Sequence, residues 1–425
     1  MQSKKVSIIG LGYVGLPLAC TISKSGKYDV HGLDINKKHV DQITKGICPI
    51  DDEQTSIDLK DTTIKVTTNQ ETIKESEFII ICVPTPVEKT KLPNLRPVRA
   101  AAKTAAKYLE KGQTIIIEST INPGVCEEIV LPILEESGLK GGIDFELSHC
   151  PERINPGDTK WNVSNIPRNI GSLTIEGNKK VADFYRSFLN AEVNEVSCLK
   201  SAEATKVIEN TFRDVNIAYV NELAKSFDLM GIDLVEVIRA ASNKPFAFMP
   251  HFPGSGVGGH CIPVDPYYLI EKAKEEGFDH SFLRKAREIN NSMPGYAVGI
   301  LSEELNKMSR PINETRIALL GLAYKGNISD IRESPALEIK KILEKKGAVL
   351  SIYDPYLPEM STTQSITECL AQTDIVFVAT GHKEFKDLPA SRFKELGTKL
   401  IIDGKNCLNK SELEAEGIIY KGIGH

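Results

Sequence analysis

The chain carries nine cysteines but no Cys-x-x-Cys pair. Their number is odd and their spacings are wide, which argues against both a zinc ribbon and a disulfide framework. No metal-ligand set is expected. No apolar run approaches the roughly 20 residues that a membrane helix needs, so no membrane association is expected. The first strand is expected to begin at Val6, which leaves no room for a signal peptide, and the expected compartment is the cytoplasm. Positive charge is not in excess: 52 Lys and Arg stand against 57 Asp and Glu, a net charge of −5. A general field for nucleic acid is therefore excluded, though a local basic pocket for a phosphorylated substrate is not.

What is present suits a globular chain, with 41% apolar and 26% charged residues. A length of 425 residues predicts two or three domains. The N-terminal part alternates strand-like runs (Val6 to Gly10, Val30 to Asp34, Phe78 to Val83, Thr114 to Glu118) with helical patterns, which predicts a doubly wound parallel sheet. Residues 201–230 have helical composition without proline and meet Gly231 as a C-terminal breaker, so a long spine helix that also packs a dimer is expected. Residues 243–266, rich in Pro, Gly and aromatics, read as an ordered functional loop. From about residue 312 the strand–helix rhythm returns, with runs ending at Gly321, Asp354, Thr380 and Asp403. The expected fold class is α/β: two Rossmann-like doubly wound domains joined by a long central helix and a helical middle domain. The expected boundaries are 1–198, 199–310 and 311–425.

Four groups of residues suggest chemistry. Gly10-Leu11-Gly12-Tyr13-Val14-Gly15 follows the first strand and opens a helix, where a pyrophosphate would meet free N–H groups. Asp34 ends the second strand about 20 residues on. A carboxylate there would bind ribose hydroxyls and repel a 2′-phosphate, so NAD is favoured over NADP. Thr85, Ser119 and Thr120 stand at later strand ends, the edge where such sheets bind ligands. They are candidates for the nicotinamide ribose or a site water, or are plain turn residues. Glu203, Lys206 and Asn210 share one helix face. They are either a solvated surface pair or part of a site.

The fourth group is Gly256-Val257-Gly258-Gly259-His260-Cys261-Ile262-Pro263-Val264-Asp265. Gly258 and Gly259 would let backbone approach a ligand or take positive φ. A thiol has an ordinary pKa of about 8.5, so a cation or helix end near Cys261 is expected to lower it. A thiolate adding to an aldehyde gives a thiohemiacetal, which can lose a hydride and become a hydrolysable thioester. Lys206 or Asn210 could stabilise the oxyanion. Asp265 or Glu152 could manage protons and water. An alcohol-to-acid oxidation needs such a nucleophile, and a single-step dehydrogenase does not. Cys20, Cys82 and Cys150 read as buried apolar groups.

With these motifs, and with Glu118-Ser119-Thr120-x-x-Pro123-Gly124, Cys150-Pro151-Glu152-Arg153, Gly321-Leu322-Ala323-Tyr324-Lys325 and Asp330-Ile331-Arg332-Glu333-Ser334-Pro335, the chain resembles the UDP-glucose/GDP-mannose dehydrogenase family over its full length. The resemblance implies an NAD-dependent twofold oxidation of a sugar C6 alcohol to the acid, in a homodimer or higher homo-oligomer, with a UDP-sugar bound. Cys261 is then the nucleophile, surrounded by Lys206, Asn210 and Asp265, with Thr120 and Glu152 on the water. The cofactor set is Gly10, Gly12, Tyr13, Val14, Gly15, Asp34, Thr85, Ser119, Thr120 and Arg332. The substrate set is Glu152, Arg153, Lys206, Asn210, Lys244, Gly258 and Lys325. Lys405 stands where some members carry a nucleotide-contacting Arg. His260 is left aside, because adjacent side chains rarely face each other. Residues 151–158 (Pro-Glu-Arg-Ile-Asn-Pro-Gly-Asp) and 260–268 are similar to the branch acting on UDP-N-acetylhexosamines, for surface polysaccharide precursors. UDP-GlcNAc is the first expectation, with UDP-GalNAc, UDP-ManNAc and UDP-glucose as alternatives. A β-hydroxyacid-type dehydrogenase and a non-catalytic nucleotide-binding scaffold are the rival readings. The favoured reading and these two differ in NADH formed per sugar: two, one or none.

Overall fold

The structure is a computed structural model that describes residues 4–88, 92–154 and 160–425. The expected stretch Asn155 to Asp158 lies outside the described residues. The chain forms two compact units, Met1–Glu209 with Tyr267–Phe278, and Asn210–Pro266 with Asp279–His425.

The first unit is built on an eight-stranded sheet. Its strands are β1 (Lys4–Ile9), β2 (Tyr28–Leu33), β3 (Lys65–Thr67), β4 (Phe78–Ile81), β5 (Thr114–Ile117), β6 (Glu146–His149), β7 (Arg168–Ser172) and β8 (Val193–Glu195). Their order is β3-β2-β1-β4-β5-β6-β7-β8. β1 lies between β2 and β4, with Val6 opposite both Val30 and Phe78, and all three run parallel. β7 runs antiparallel to β6, a pairing that needs no crossover helix. Successive strand side chains point to opposite faces. Thus Phe78 and Ile80 of β4 enter one core with Val6 and Ile8, while Ile79 and Ile81 enter the other with Ile115 and Ile117. Burial on both faces explains the unbroken Phe-Ile-Ile-Ile and Thr-Ile-Ile-Ile runs.

The second unit holds β9 (Arg316–Leu320), β10 (Val349–Tyr353), β11 (Ile375–Val378), β12 (Leu400–Asp403) and β13 (Ile419–Gly422), in the order β10-β9-β11-β12-β13 and all parallel. Alternation recurs here: Ile317 and Leu319 face one core, Ala318 and Leu320 the other. In both sheets the first strand is flanked on either side, which creates the switch point where ligands of such sheets bind. This is the expected α/β class with parallel sheets and helical elements between them. The expected long helix spans Leu199–Met230, 32 residues, roughly 48 Å at 1.5 Å per residue. It stops at Gly231, whose φ is +69°. Residues 243–264 contain no helix or strand before the helix Asp265–Glu275 begins.

Candidate functional site

In the first unit the turn after β1 is shaped by what its glycines avoid. Gly10 has φ +93°, and a Cβ there would lie 2.6 Å from Cys82 O. A Cβ on Gly15 would lie 1.9 Å from Gly10 O, so helix Gly15–Lys24 can start only this close to the strand without one. A Cβ on Gly12 would meet nothing within 4 Å. The turn is thus tight below and open above, the shape a pyrophosphate needs. Tyr13 is exposed and Val14 half-buried on the same turn. Asp34 follows β2 and holds the turn: Oδ2 accepts Leu11 N–H at 2.8 Å and Oδ1 accepts Asn36 N–H at 2.8 Å. These residues fit NAD.

The strand-end residues divide. Ser119 is buried, accepts Val83 N–H at 2.9 Å and donates to Val83 O at 2.8 Å. Its hydroxyl ties the β4 and β5 ends together. Thr120 is half-buried beside it. The Thr85 carbonyl accepts the Tyr268 hydroxyl at 2.5 Å.

Glu152 belongs to a buried charge cluster whose other members sequence reasoning missed. Arg168 on β7 has no exposed surface; its Nη1 is 3.5 Å from Glu118 Oε2 and 3.8 Å from Glu152 Oε1. Tyr185 donates to Glu118 Oε1 at 2.5 Å. Burial pushes the Glu118 carboxyl above its ordinary range, against the pull of Arg168 and Tyr185. Glu152 accepts Ile154 N–H at 2.5 Å. The available signal was an arginine inside a strand-like window, because a buried charge is rare unless paired. Cys82 and Cys150 are buried here; burial pushes the Cys150 thiol up to about 12, as suits inert core thiols. Arg153 is engaged elsewhere: Nε and Nη2 grip the Glu209 carboxylate at 3.0 and 2.5 Å, and Nη1 donates to Pro167 O at 3.0 Å. These contacts hold the Arg153 guanidinium in an ion pair beside the turn.

The helix Leu199–Met230 carries Lys206 and Asn210 one turn apart, 8% and 6% exposed. The surface-pair alternative for Glu203 fails. Glu203 is wholly buried, and its oxygens accept the N–H groups of Gly124 and Cys126.

In the second unit Asn210 Nδ2 donates to Asp265 Oδ2 at 2.6 Å, with both side chains buried. Cys261 stands at the entry to helix Asp265–Glu275, where its carbonyl accepts the Val264 and Asp265 N–H groups at 2.9 and 2.8 Å. The glycines ahead of it serve packing. A Cβ on Gly258 would lie 2.6 Å from Tyr324 Cβ, and one on Gly259 2.9 Å from the Tyr324 ring. A Cβ on Gly258 would also meet Glu333 O and Pro335 Cδ, each at 2.9 Å. Gly259 has φ +91°, and its N–H donates to Arg332 O at 2.9 Å. The Cys261 loop is thereby seated on the segment that carries Lys325 and Arg332. The Arg332 guanidinium grips Asp330, Nε to both oxygens at 3.0 Å. Lys244 is exposed, its ammonium 4.8 Å from the Phe246 ring centroid. Lys325 is half-buried in the turn after β9, and burial pulls the Lys405 ammonium below the ordinary lysine value.

A glycine turn with an acid at the end of the second strand, a second parallel sheet and a thiol at a helix entry define a nucleotide-binding dehydrogenase. Profiles of the UDP-glucose/GDP-mannose dehydrogenase family match in three parts: the NAD binding domain at residues 4–189, the central domain at 200–292 and the UDP binding domain at 318–410. The chain belongs to this family, and it is an NAD-dependent nucleotide-sugar dehydrogenase. It is 38% identical over 425 residues to the UDP-N-acetyl-D-mannosamine dehydrogenase of Pyrococcus horikoshii, covering 99% of each chain. The solved structure of UDP-D-ManNAc dehydrogenase from that organism superimposes with a TM-score of 0.92, again over 99% of each chain. It is also 38% identical over 408 residues to the UDP-N-acetyl-D-glucosamine 6-dehydrogenase of Pseudomonas aeruginosa, covering 93% of this chain and 95% of the other. No helix among the described residues is long and apolar enough to cross a membrane.

Proposed function

We propose that the enzyme oxidises the C6 alcohol of a UDP-N-acetylhexosamine to the carboxylate through a covalent adduct on Cys261. NAD, when bound, accepts the two hydrides. The Cys261 thiolate adds to the C6 aldehyde, forming a C–S bond and leaving negative charge on the sugar oxygen. Lys206 and Asn210 stabilise that oxygen. Loss of hydride gives the thioester, and water held by Thr120 and Glu152 breaks the C–S bond, returning the thiol with a proton. Asp265, held by Asn210, manages the protons released. Each sugar reduces two NAD and consumes one water. Gly10, Gly12, Tyr13, Val14, Gly15, Asp34, Thr85, Ser119, Thr120 and Arg332 contribute to the cofactor site, and Glu152, Arg153, Lys206, Asn210, Lys244, Gly258 and Lys325 to the sugar-nucleotide site.

The observation that carries this reading is the thiol of Cys261 four residues ahead of Asp265, whose buried carboxylate is held by Asn210 at 2.6 Å. UDP-GlcNAc is the favoured substrate, with UDP-ManNAc next. Relatives named for each sugar stand at the same 38% identity, and both are N-acetylhexosamines. The exposed Phe212 and Tyr219 of the long helix support a homodimer packed on it. The proposed location is the cytoplasm, and the proposed use of the product is as a surface polysaccharide precursor. The test is a panel of UDP-sugars in limiting amount with excess NAD. Two NADH per sugar and a uronic acid product are expected; one NADH with a stable aldehyde refutes the covalent route.

A further inference from the structure

Glu203 stands one residue short of a full helical turn ahead of Lys206 on the helix Leu199–Met230. Its carboxylate has no exposed surface. Oε2 accepts Gly124 N–H at 2.6 Å and Oε1 accepts Cys126 N–H at 2.8 Å. These amides lie at the start of the helical turn Cys126–Val130, and Gly124 is four residues after Thr120. Gly124 has φ +99°, so the backbone is bent to bring its N–H to this carboxylate. A buried carboxylate is costly unless hydrogen-bonded, and here both oxygens are engaged by backbone. One side chain thus joins the helix that carries Lys206 to the loop that carries Thr120. The contact spans 79 residues of sequence.

We propose that Glu203 is a positioning residue for the oxidation, which sets Lys206 against Thr120 without touching the substrate. The inference rests on the roles given to Lys206 and Thr120 above. Glu203→Gln keeps the length of the side chain but turns an NH₂ group toward one of the two N–H donors. Glu203→Asp keeps the charge with a shorter reach.

The experiment measures kcat, KM and thermal midpoint for both variants, and for Glu203→Gln combined with Lys206→Ala. The substrate is the better of UDP-GlcNAc and UDP-ManNAc. A small displacement at a reacting centre costs up to about a hundredfold in rate. Glu203→Gln is expected to lower kcat by about ten- to a hundredfold with KM nearly unchanged, and Glu203→Asp to recover part of the rate. In the Lys206→Ala background Glu203→Gln changes kcat by less than about twofold, because the geometry it protects is no longer used. An equal fractional loss in both backgrounds, a wild-type kcat in Glu203→Gln, or failure of both variants to fold overturns the inference. A wild-type kcat in Lys206→Ala alone overturns the reading of Lys206 and the inference with it; a slow Lys206→Ala beside a fast Glu203→Gln overturns only the inference.

Discussion

Replacing Arg168 by Met is expected to destabilise the first unit and to disturb Glu152 without removing any group that meets substrate. Arg168 is fully buried between Glu118 and Glu152. Methionine fills much of the space but leaves Glu118, 1% exposed, without its cation. Removing one partner of a buried pair costs about 3–5 kcal/mol. Adding Glu118→Gln should recover part of that loss, since the carboxamide keeps a hydrogen-bonding oxygen for Tyr185 and carries no charge. The pH gives an independent check. Burial already raises the Glu118 pKa against the pull of Arg168, so without Arg168 the folded state holds this proton to still higher pH. The folded state then binds more protons than the unfolded one, and stability falls as pH rises. Arg168→Met should therefore lose more stability at pH 8 than at pH 5. Urea titration followed by the fluorescence of Trp161 reads the change, since the chain has one tryptophan and it belongs to the first unit. A loss under about 1 kcal/mol at pH 8, the value of an exposed pair, refutes the reasoning. So does a double variant less stable than the single one.

Cys261→Ser should abolish steady-state turnover while binding of NAD and UDP-sugar persists, because only the covalent step is removed; calorimetric binding with full activity would contradict a nucleophilic thiol. NAD should exceed NADP in kcat/KM by at least about a hundredfold, since a like charge at a binding surface costs several kcal/mol, and Asp34→Ser should narrow the ratio; equal values in the wild type show that Asp34 does not select. Burial holds the wholly buried His149 imidazole down at about 3. Below about pH 6.5 the unfolded chain binds a proton that the folded chain refuses, so stability rises with pH, and at pH 5 this group removes about 2 kcal/mol relative to pH 7. His149→Leu should flatten that slope in urea titrations, and an unchanged slope assigns it to other groups.

The strands β1, β4, β5, β9, β11 and β12 could be read in advance because a strand buried on both faces must be an unbroken apolar run, and neighbouring residues alone state that. The glycine turn and the Asp34 that closes the second strand were equally readable, since tight turns are tied to residue type at fixed spacing. β3 and β8 escaped, as three-residue segments of mixed polarity that become strands only through the partner beside them. β7 escaped too, because it opens on an arginine whose carboxylate partner lies 50 residues away. The same limit applied to Glu203. On the helix it looks like a companion of Lys206, and its actual partners are amides 79 and 77 residues earlier in the chain. Glycine periodicity, strand alternation and helix faces are short-range consequences of backbone geometry. Which buried charge meets which amide depends on how distant segments pack, and packing is set by the whole core at once.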